Sequence, residues 1–237
     1  MDGVANEAGF KNKGIADNRS VMREIVFMEI LAHRGFWKTV QEKNSFVALE
    51  RAFRGGYGVE TDIRDFRGEL VISHDIATET AVSLDCVLQI YKELHGTGTL
   101  ALNVKADGIQ KLLINLLEKY QISNYFLFDM SVPELVVNKE MELRYYTRHS
   151  DVEAECVLYE SADGVWMDSF YNETWLTKER IEEHLKKGKS VCIVSPELHK
   201  KEHNEVWDML KQSGLYQYPE LKLCTDYPDK AKEYFYG

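Results

Sequence analysis

Short runs of apolar, β-branched and aromatic residues recur along this chain, and most of them are separated by longer segments with helical periodicity. Such alternation is typical of β/α units, in which successive parallel strands are connected by helices. Nine runs are predicted strands: 25–32, 58–64, 69–74, 99–105, 125–129, 142–147, 164–168, 190–195 and 221–226. The clearest helix patterns between them lie at 48–56, 107–122 and 177–189.

The run at 69–74 is interpreted as the hairpin partner of the run at 58–64, which leaves eight strands. Eight strands with helical crossovers favour an α/β fold of the (β/α)8 TIM barrel type, with one short insertion, over an open sheet. A chain of 237 residues can form such a barrel as a single domain. We expect the barrel to occupy residues 25–237 and the polar segment 1–24 to be a flexible or loosely docked extension.

Composition excludes several classes of partner. The formal net charge is -10, the wrong sign for a surface that neutralises phosphates, so nucleic acid is not expected as a main partner. The chain shows no apolar signal-peptide core, and no run approaches the ~18 residues of a membrane span. The four cysteines lack the local spacing of a zinc site, and three of them lie in or beside apolar runs, which favours buried free thiols in a reducing compartment. A soluble, cytoplasmic protein is therefore the expectation.

Polar residues finish nearly every predicted strand, which is where a barrel of this kind builds its active site. Glu60 and Asp62 are two residues apart on one strand, so their side chains share a face. Two crowded carboxylates repel unless a cation or a proton lies between them, and oxygen ligands suit Mg2+ or Ca2+. The alternative is that one carboxylate faces solvent or pairs with an arginine such as Arg64.

Two histidines accompany this carboxylate pair. His33 and His74 end runs that should be close in a barrel, and such a pair can supply both a base and an acid near neutral pH. Arg34 and Lys105 add cations suited to phosphate oxygens. The set indicates phosphoryl chemistry rather than acyl transfer, for which no GxSxG motif is present.

The ordered motifs resemble those of the glycerophosphodiester phosphodiesterases, a family of phospholipase-C-like phosphodiesterase barrels. The resemblance is carried by AHRG (32–35), NS (44–45), VETD (59–62), GELVISHD (68–75), LNVK (102–105) and TDYPDKA (225–231). It implies a (β/α)8 barrel that cleaves a phosphodiester to an alcohol and a phosphomonoester. It further implies His33 and His74 as the acid and base, Glu60 and Asp62 as metal ligands, and Arg34 and Lys105 as phosphate contacts.

The chain departs from this family in two ways. Asn103 stands where the family usually has a glutamate, and a neutral ligand should bind the metal more weakly, unless Asp129 compensates. The segment after His74 is also too short for the subdomain that family members often insert there. Aromatic residues near strand ends are then candidate substrate contacts, if they are not core: Phe36, Trp37, Trp166, Phe170, Tyr171 and Trp175. Arg148 either helps to hold phosphate or pairs with Asp129 or Asp168.

These observations predict a metal-dependent phosphodiester hydrolase with a small-molecule substrate and a Mg2+ or Ca2+ cofactor. Two alternatives stay open. The same barrel could act on another lipid-derived or surface-polymer-derived phosphodiester, or it could be a catalytically lapsed module that binds a phosphorylated ligand. The sequence does not specify the oligomeric state.

Overall fold

The structure is a computed structural model that describes residues 27–237. The predicted extension at 1–24 lies outside the described residues, as does the start of the first predicted strand. The strands are β1 Glu29–His33, β2 Gly58–Phe66, β3 Glu69–Ile72, β4 Val82–Ser83, β5 Leu100–Val104, β6 Tyr125–Phe128, β7 Tyr146–Ser150, β8 Gly164–Asp168, β9 Ser190–Val194 and β10 Leu221–Thr225.

Eight of these strands run parallel and follow one another around a barrel. β1 pairs with both β2 and β10, β2 continues to β5 and β6, and β10 continues through β9 and β8 to β7. Between β6 and β7 the contact is a single parallel bridge from Leu127 to Tyr145. β3 pairs with β2 as an antiparallel hairpin and β4 pairs with β3, so the predicted hairpin is confirmed. The TIM barrel prediction agrees with this order.

The α-helices are α1 Phe46–Arg54, α2 Leu84–Glu93, α3 Gln110–Lys119, α4 Val132–Glu140, α5 Lys178–Lys186, α6 Asn204–Gln212 and α7 Pro228–Tyr236. Ser45, Ser131 and Thr177 cap α1, α4 and α5 by accepting a backbone N–H in the first turn. Across residues 27–237, none of these helices has the length and apolar character needed to cross a bilayer.

The connection after β7 differs from the regular pattern. In the described part of the chain, residues 151–163 contain only a 3-10 turn, Tyr159–Ser161, where the other parallel strands are followed by an α-helix before the next barrel strand. The strand itself begins later than the predicted run at 142–147, because Glu142 leaves α4 in a left-handed turn with φ 56°. Arg148 therefore lies within β7 rather than beyond its end.

Alternate residues of the parallel strands fill the barrel interior, as the two-residue period of a strand requires. Its floor is a buried cluster that includes Leu31, Ala101 and two aromatic stacks. Phe126 stacks on Tyr146 with ring centroids 3.7 Å apart, and Phe128 stacks on Trp166 at 3.8 Å. A second, larger core lies between the outside of the barrel and the helices. The aromatic floor separates the carboxyl end of the barrel from the contacts of Glu29 with Thr99 and Lys222 at its amino end.

Candidate active site

The polar residues that the sequence placed at strand ends meet at the carboxyl end of the barrel. Every parallel strand except β9 contributes to this set, from the strand itself or from the residue after it, and β2 contributes two residues. The set comprises His33, Glu60, Asp62, Asn103, Asp129, Arg148, Asp168 and Asp226. The geometry around each follows from two features, the strand period and the turns that leave the strands.

The turn after β1 brings the backbone of Arg34 against β2. Arg34 and Gly35 both have positive φ, 56° and 82°. The N–H of Arg34 donates to the Glu60 carbonyl at 2.8 Å and lies 3.2 Å from Glu60 Oε2. A Cβ on Gly35 would lie only 2.7 Å from the backbone carbon of Ala48, so this turn requires glycine. The His-Arg-Gly motif thus fixes the end of β1 to the acidic strand.

Glu60 and Asp62 are both buried, with 2% and 0% of their surface exposed. Neither carboxylate therefore faces solvent, and Arg64 instead donates to the backbone carbonyl of Lys105 at 2.7 Å. Burial, followed by the charge of Asp62, raises the pKa of Glu60 to about 7, although His33, Arg34 and Lys105 oppose the shift. Glu60 is accordingly only partly ionised at neutral pH without a bound cation.

Asn103 faces Asp62 across the β2–β5 ladder, where the two residues are register partners. Its amide nitrogen donates to Glu60 Oε1 at 3.4 Å and to Asp129 Oδ2 at 3.2 Å. Its own Oδ1 and the Oδ1 of Asp62 are buried and have no hydrogen-bond partner among the described residues. Buried oxygens without donors are what a hard cation requires, so the residues present fit Mg2+ or Ca2+.

Two basic side chains flank the same carboxylate. Arg34 Nε lies 3.0 Å from Asp62 Oδ2, although its N–H is not aligned for a hydrogen bond. Lys105 Nζ lies 3.5 Å from Asp62 Oδ1 and 4.0 Å from Asp129 Oδ2. Both side chains are partly exposed, at 24% and 21%, so they can reach an anion at the mouth of the barrel.

His33 is held by a carboxylate on the last strand. Its Nδ1 lies 2.6 Å from Asp226 Oδ1, and Lys43 Nζ donates to Asp226 Oδ2 at 3.0 Å. Burial opposes ionisation of Asp226, but the hydrogen bond from His33 and the charges of His33 and Lys43 lower its pKa. An ionised Asp226 only accepts, which makes Nδ1 the donor and leaves Nε2 free, 3.8 Å from Glu60 Oε2.

His74 follows the hairpin strand at the same end of the barrel. The N–H of Ser73 donates to the Asp62 carbonyl at 3.0 Å, which places His74 one residue away from the acidic strand. Its side chain is 46% exposed, and its Nδ1 lies 2.8 Å from Asp75 Oδ1. His33 and His74 therefore differ in setting, since one is enclosed by the barrel and the other stands at its rim.

Asp129 and Arg148 form an ion pair on the opposite side of Asn103. Arg148 Nη1 donates to Asp129 Oδ1 at 3.0 Å, and its Nη2 donates to Glu153 Oε1 at 2.9 Å. Of the two acidic partners predicted for Arg148, the structure places it on Asp129. Burial raises the pKa of Asp129, and Arg148 and Lys105 oppose that shift.

No protein-family model matches the sequence, and no curated protein sequence matches it. Solved structures do match. A glycerophosphodiester phosphodiesterase from Agrobacterium tumefaciens str. C58 is 16% identical, with a TM-score of 0.68 over 89% of this chain and 100% of that one. One from Parabacteroides distasonis ATCC 8503 is 17% identical, with a TM-score of 0.63 over 88% and 96%. This chain has the fold of the glycerophosphodiester phosphodiesterases.

A third structure with the glycerophosphodiester phosphodiesterase fold is an Oleispira antarctica phosphodiesterase in complex with the product sn-glycerol-3-phosphate. It is 14% identical to this chain, with a TM-score of 0.63, and the match covers 88% of this chain and 96% of that one. The matches span nearly the whole length of both partners, so the resemblance drawn from the sequence motifs agrees with the fold.

Within this glycerophosphodiester phosphodiesterase fold, the structure adds site residues to which the sequence alone gave no role. Asn44 donates from Nδ2 to Asp62 Oδ2 at 2.8 Å and accepts from Thr61 at the same distance, which orients the carboxylate. His199 Nε2 lies 2.7 Å from Asp168 Oδ1. The strand-end rule points to Asp168 and Asp226, but their histidine partners become visible only in three dimensions.

Three of the six candidate substrate aromatics lie in different settings. Trp166 is 4% exposed in the barrel floor, stacked on Phe128, so it is core and not a surface contact. Trp175 packs edge-on against His149 on the outside of the barrel. Phe170 lies beside the His199 ring with centroids 5.3 Å apart, and it stays a candidate contact at the carboxyl end.

Proposed function

We propose that this protein is a metal-dependent phosphodiester hydrolase that cleaves a small-molecule phosphodiester to an alcohol and a phosphomonoester. The observation that carries the proposal is the pair of buried oxygens, Asp62 Oδ1 and Asn103 Oδ1, which lack hydrogen bonds and belong to facing residues of β2 and β5. The fold shared with glycerophosphodiester phosphodiesterases supports it. In (β/α)8 barrels the active site lies at the carboxyl ends of the strands, which is where these residues meet.

Glu60, Asp62 and Asn103 would hold a Mg2+ or Ca2+ ion. The carboxylate of Asp129, which accepts from the Asn103 amide, would be a further oxygen ligand. The cation would neutralise charge on the nonbridging oxygens of the phosphodiester. Asn44 and the Arg34 backbone N–H keep the two carboxylates in place through their contacts with Asp62 and Glu60. The neutral Asn103 gives this set one negative charge fewer than an acidic residue would, so moderate metal affinity is expected.

His33 and His74 would move the protons. Asp226 holds Nδ1 of His33 as the donor, so Nε2 can take the proton of the attacking water or substrate hydroxyl. As the bond between phosphorus and the leaving oxygen breaks, a protonated His74 at the rim would deliver a proton to that oxygen. This assignment follows from the enclosed setting of one ring and the exposed setting of the other.

The phosphate would be oriented by Arg34, Lys105 and Arg148. Arg34 and Lys105 border Asp62 and are both partly exposed toward the mouth of the barrel. Arg148 already uses its guanidinium on Asp129 and Glu153, so its contact with phosphate would require exchange of one of these partners. A glycerol-containing substrate is favoured, because a neighbour with this fold binds sn-glycerol-3-phosphate.

The test is hydrolysis of bis(p-nitrophenyl) phosphate and of glycerophosphocholine by the full chain, with Mg2+, Ca2+ or EDTA. His33→Ala should lower metal-dependent turnover by more than about 100-fold, since it removes a proton-transfer group. The matched control is His95→Ala, because His95 is exposed after α2, at the amino-terminal end of the barrel. Turnover of neither substrate, together with no thermal stabilisation by either cation, would overturn the proposal and favour a lapsed barrel.

A further inference from the structure

Three potential metal ligands lie together outside the barrel, away from the candidate active site. His149 belongs to β7, Cys156 to the connection after β7, and His184 to α5. One ligand atom from each residue lies within 4.8 Å of the other two. The sequence gave no sign of this group, because its members come from three separate elements.

The strand period explains why His149 lies outside. Its neighbour Arg148 points into the barrel toward Asp129, so the next side chain leaves the opposite face of β7. In the described chain, the connection at 151–163 forms no α-helix over that face. Cys156 and the imidazoles of His149 and His184 occupy the space between this connection and α5. His184 is 5% exposed, and the other two are partly buried.

The imidazoles are arranged in the manner of metal ligands with a supporting partner. His149 Nδ1 and His184 Nε2 are 2.9 Å apart, and the second nitrogen of His184 lies 2.9 Å from the Tyr159 hydroxyl. Metal-bound histidines commonly donate their other N–H to an oxygen, which fixes the ring and its tautomer. Ligand atoms on a tetrahedral zinc ion are about 3.3–3.7 Å apart. The 2.9 Å between His149 Nδ1 and His184 Nε2 is a hydrogen-bond distance, so a bound metal would replace this hydrogen bond with a small separation of the two rings.

We propose that His149, Cys156 and His184 form a binding site for a borderline-soft divalent metal, of which Zn2+ is the best fit. One thiolate and two imidazoles suit Zn2+ and disfavour Mg2+ and Ca2+, which require oxygen ligands. Three protein ligands leave a fourth position for water. This site is chemically distinct from the oxygen site formed by Glu60, Asp62 and Asn103, and the inference does not depend on the proposed hydrolase activity.

Bound metal would fasten the connection after β7 to the barrel and to α5. The segment between His149 and Cys156 contains Glu153, whose carboxylate accepts from Arg148, and Asp151, whose carboxylate accepts the N–H groups of Phe170, Tyr171 and Asn172. A metal that ties both ends of this segment would hold Glu153 and hence Arg148 in place. The role inferred is structural support for one side of the barrel mouth.

Co2+ is the probe for this site, because a thiolate bound to Co2+ gives a near-ultraviolet charge-transfer band that oxygen ligands do not. The reduced, EDTA-treated full chain should bind one equivalent of Co2+ with this band, and Zn2+ but not Mg2+ should abolish it. Cys156→Ser should eliminate the band, whereas Cys86→Ser, at an exposed cysteine, should retain it. His184→Ala should weaken Co2+ binding by more than about 100-fold.

Absence of the band in the unmodified chain, or its persistence in Cys156→Ser, would overturn the proposal. Cys156→Ser and Cys86→Ser make the same substitution at different positions. Circular dichroism spectra of the two variants and of the unmodified chain show whether a lost band in Cys156→Ser reflects misfolding. If Cys156→Ser does not fold, His149→Ala provides the second test: an unchanged band in that folded variant would equally overturn the site. Hydrolase activity is not a readout here, so failure of the proposed function would leave the result intact.

Discussion

Asp62 and Asn103 face each other on adjacent strands of the barrel, and each buries an Oδ1 atom that has no hydrogen bond in the described structure. Leaving a buried acceptor without a donor typically costs about 1–3 kcal/mol. Two such atoms on facing residues, one of them 3.5 Å from the Lys105 ammonium, support the proposed cation site.

Restoring an acidic residue at this position should strengthen metal binding. Asn103→Asp adds a negative charge beside Glu60 and Asp62, so we expect about tenfold tighter binding of Ca2+ or Mg2+, measured by calorimetric titration. Asn115→Asp is the matched control, because Asn115 is exposed on α3 and should leave the affinity unchanged. Equal or weaker binding by the Asn103 variant would contradict the assignment.

The contribution of Glu60 to the stability of the metal-free protein should be lost as the pH rises through about 7. Burial raises the folded-state pKa of Glu60 to about 7, above its unfolded value, so the folded state binds the additional proton. The resulting stabilisation is complete at low pH and is lost as Glu60 ionises. In EDTA, Glu60 should contribute about 2 kcal/mol more to the free energy of unfolding at about pH 5.5 than at about pH 8.

Urea unfolding of the unmodified chain and of Glu60→Gln at these two pH values measures this contribution. Glutamine cannot ionise, so the variant should lose the Glu60 part of the pH dependence while other groups continue to titrate. Parallel pH profiles for the two proteins would contradict the interpretation. Adding Mg2+ or Ca2+ should reduce the loss at high pH, because a bound cation favours ionised Glu60.

The contact between Asp226 and His33 should matter for turnover. Asp226→Asn places an amide where the carboxylate accepts from Nδ1, and an amide N–H there would favour the opposite tautomer of His33. We expect kcat to fall by about 100-fold or more with a smaller change in KM. Asp229→Asn, at an exposed residue paired with Lys38, is the control. A kcat within about threefold of the unmodified chain would show that Asp226 does not orient the proposed base.

The barrel and the rim of polar residues were predictable because both depend on local patterns. The two-residue period of β2 placed Glu60 and Asp62 on one face, and the helix patterns at 107–122 and 177–189 contain the whole of α3 and α5 but extend beyond both ends of each. The contact between His33 and Asp226 joins residues 193 positions apart. It exists because β10 pairs with β1 to complete the ring, and no local pattern specifies the histidine partner of a particular strand-end acid.

Where prediction was wrong, the local pattern was overridden by backbone geometry. The run at 142–147 is rich in strand-forming residues, yet Glu142 takes a left-handed conformation after α4, and the strand begins at Tyr146. For Trp166 the sequence left substrate contact and core packing open, and the alternation of β8 directs it into the barrel floor against Phe128. The group of His149, Cys156 and His184 escaped detection because its members are distant in sequence and lack a recognisable spacing.

The turn after β1 allows a direct test of how backbone geometry positions the site. Gly35 and Gly56 both have positive φ, but a Cβ on Gly35 would strike the backbone of Ala48, whereas one on Gly56 would meet nothing within 4 Å. Gly56→Ala should therefore cost about 1 kcal/mol in the free energy of unfolding, the penalty of the left-handed conformation alone. Gly35→Ala should cost at least about 2 kcal/mol more, since the turn must move away from α1.

Urea unfolding measures both values, and equal losses would mean that the turn accommodates a side chain. In the expected case, divalent binding should weaken in Gly35→Ala and not in Gly56→Ala, because displacing this turn moves the Arg34 backbone N–H away from Glu60.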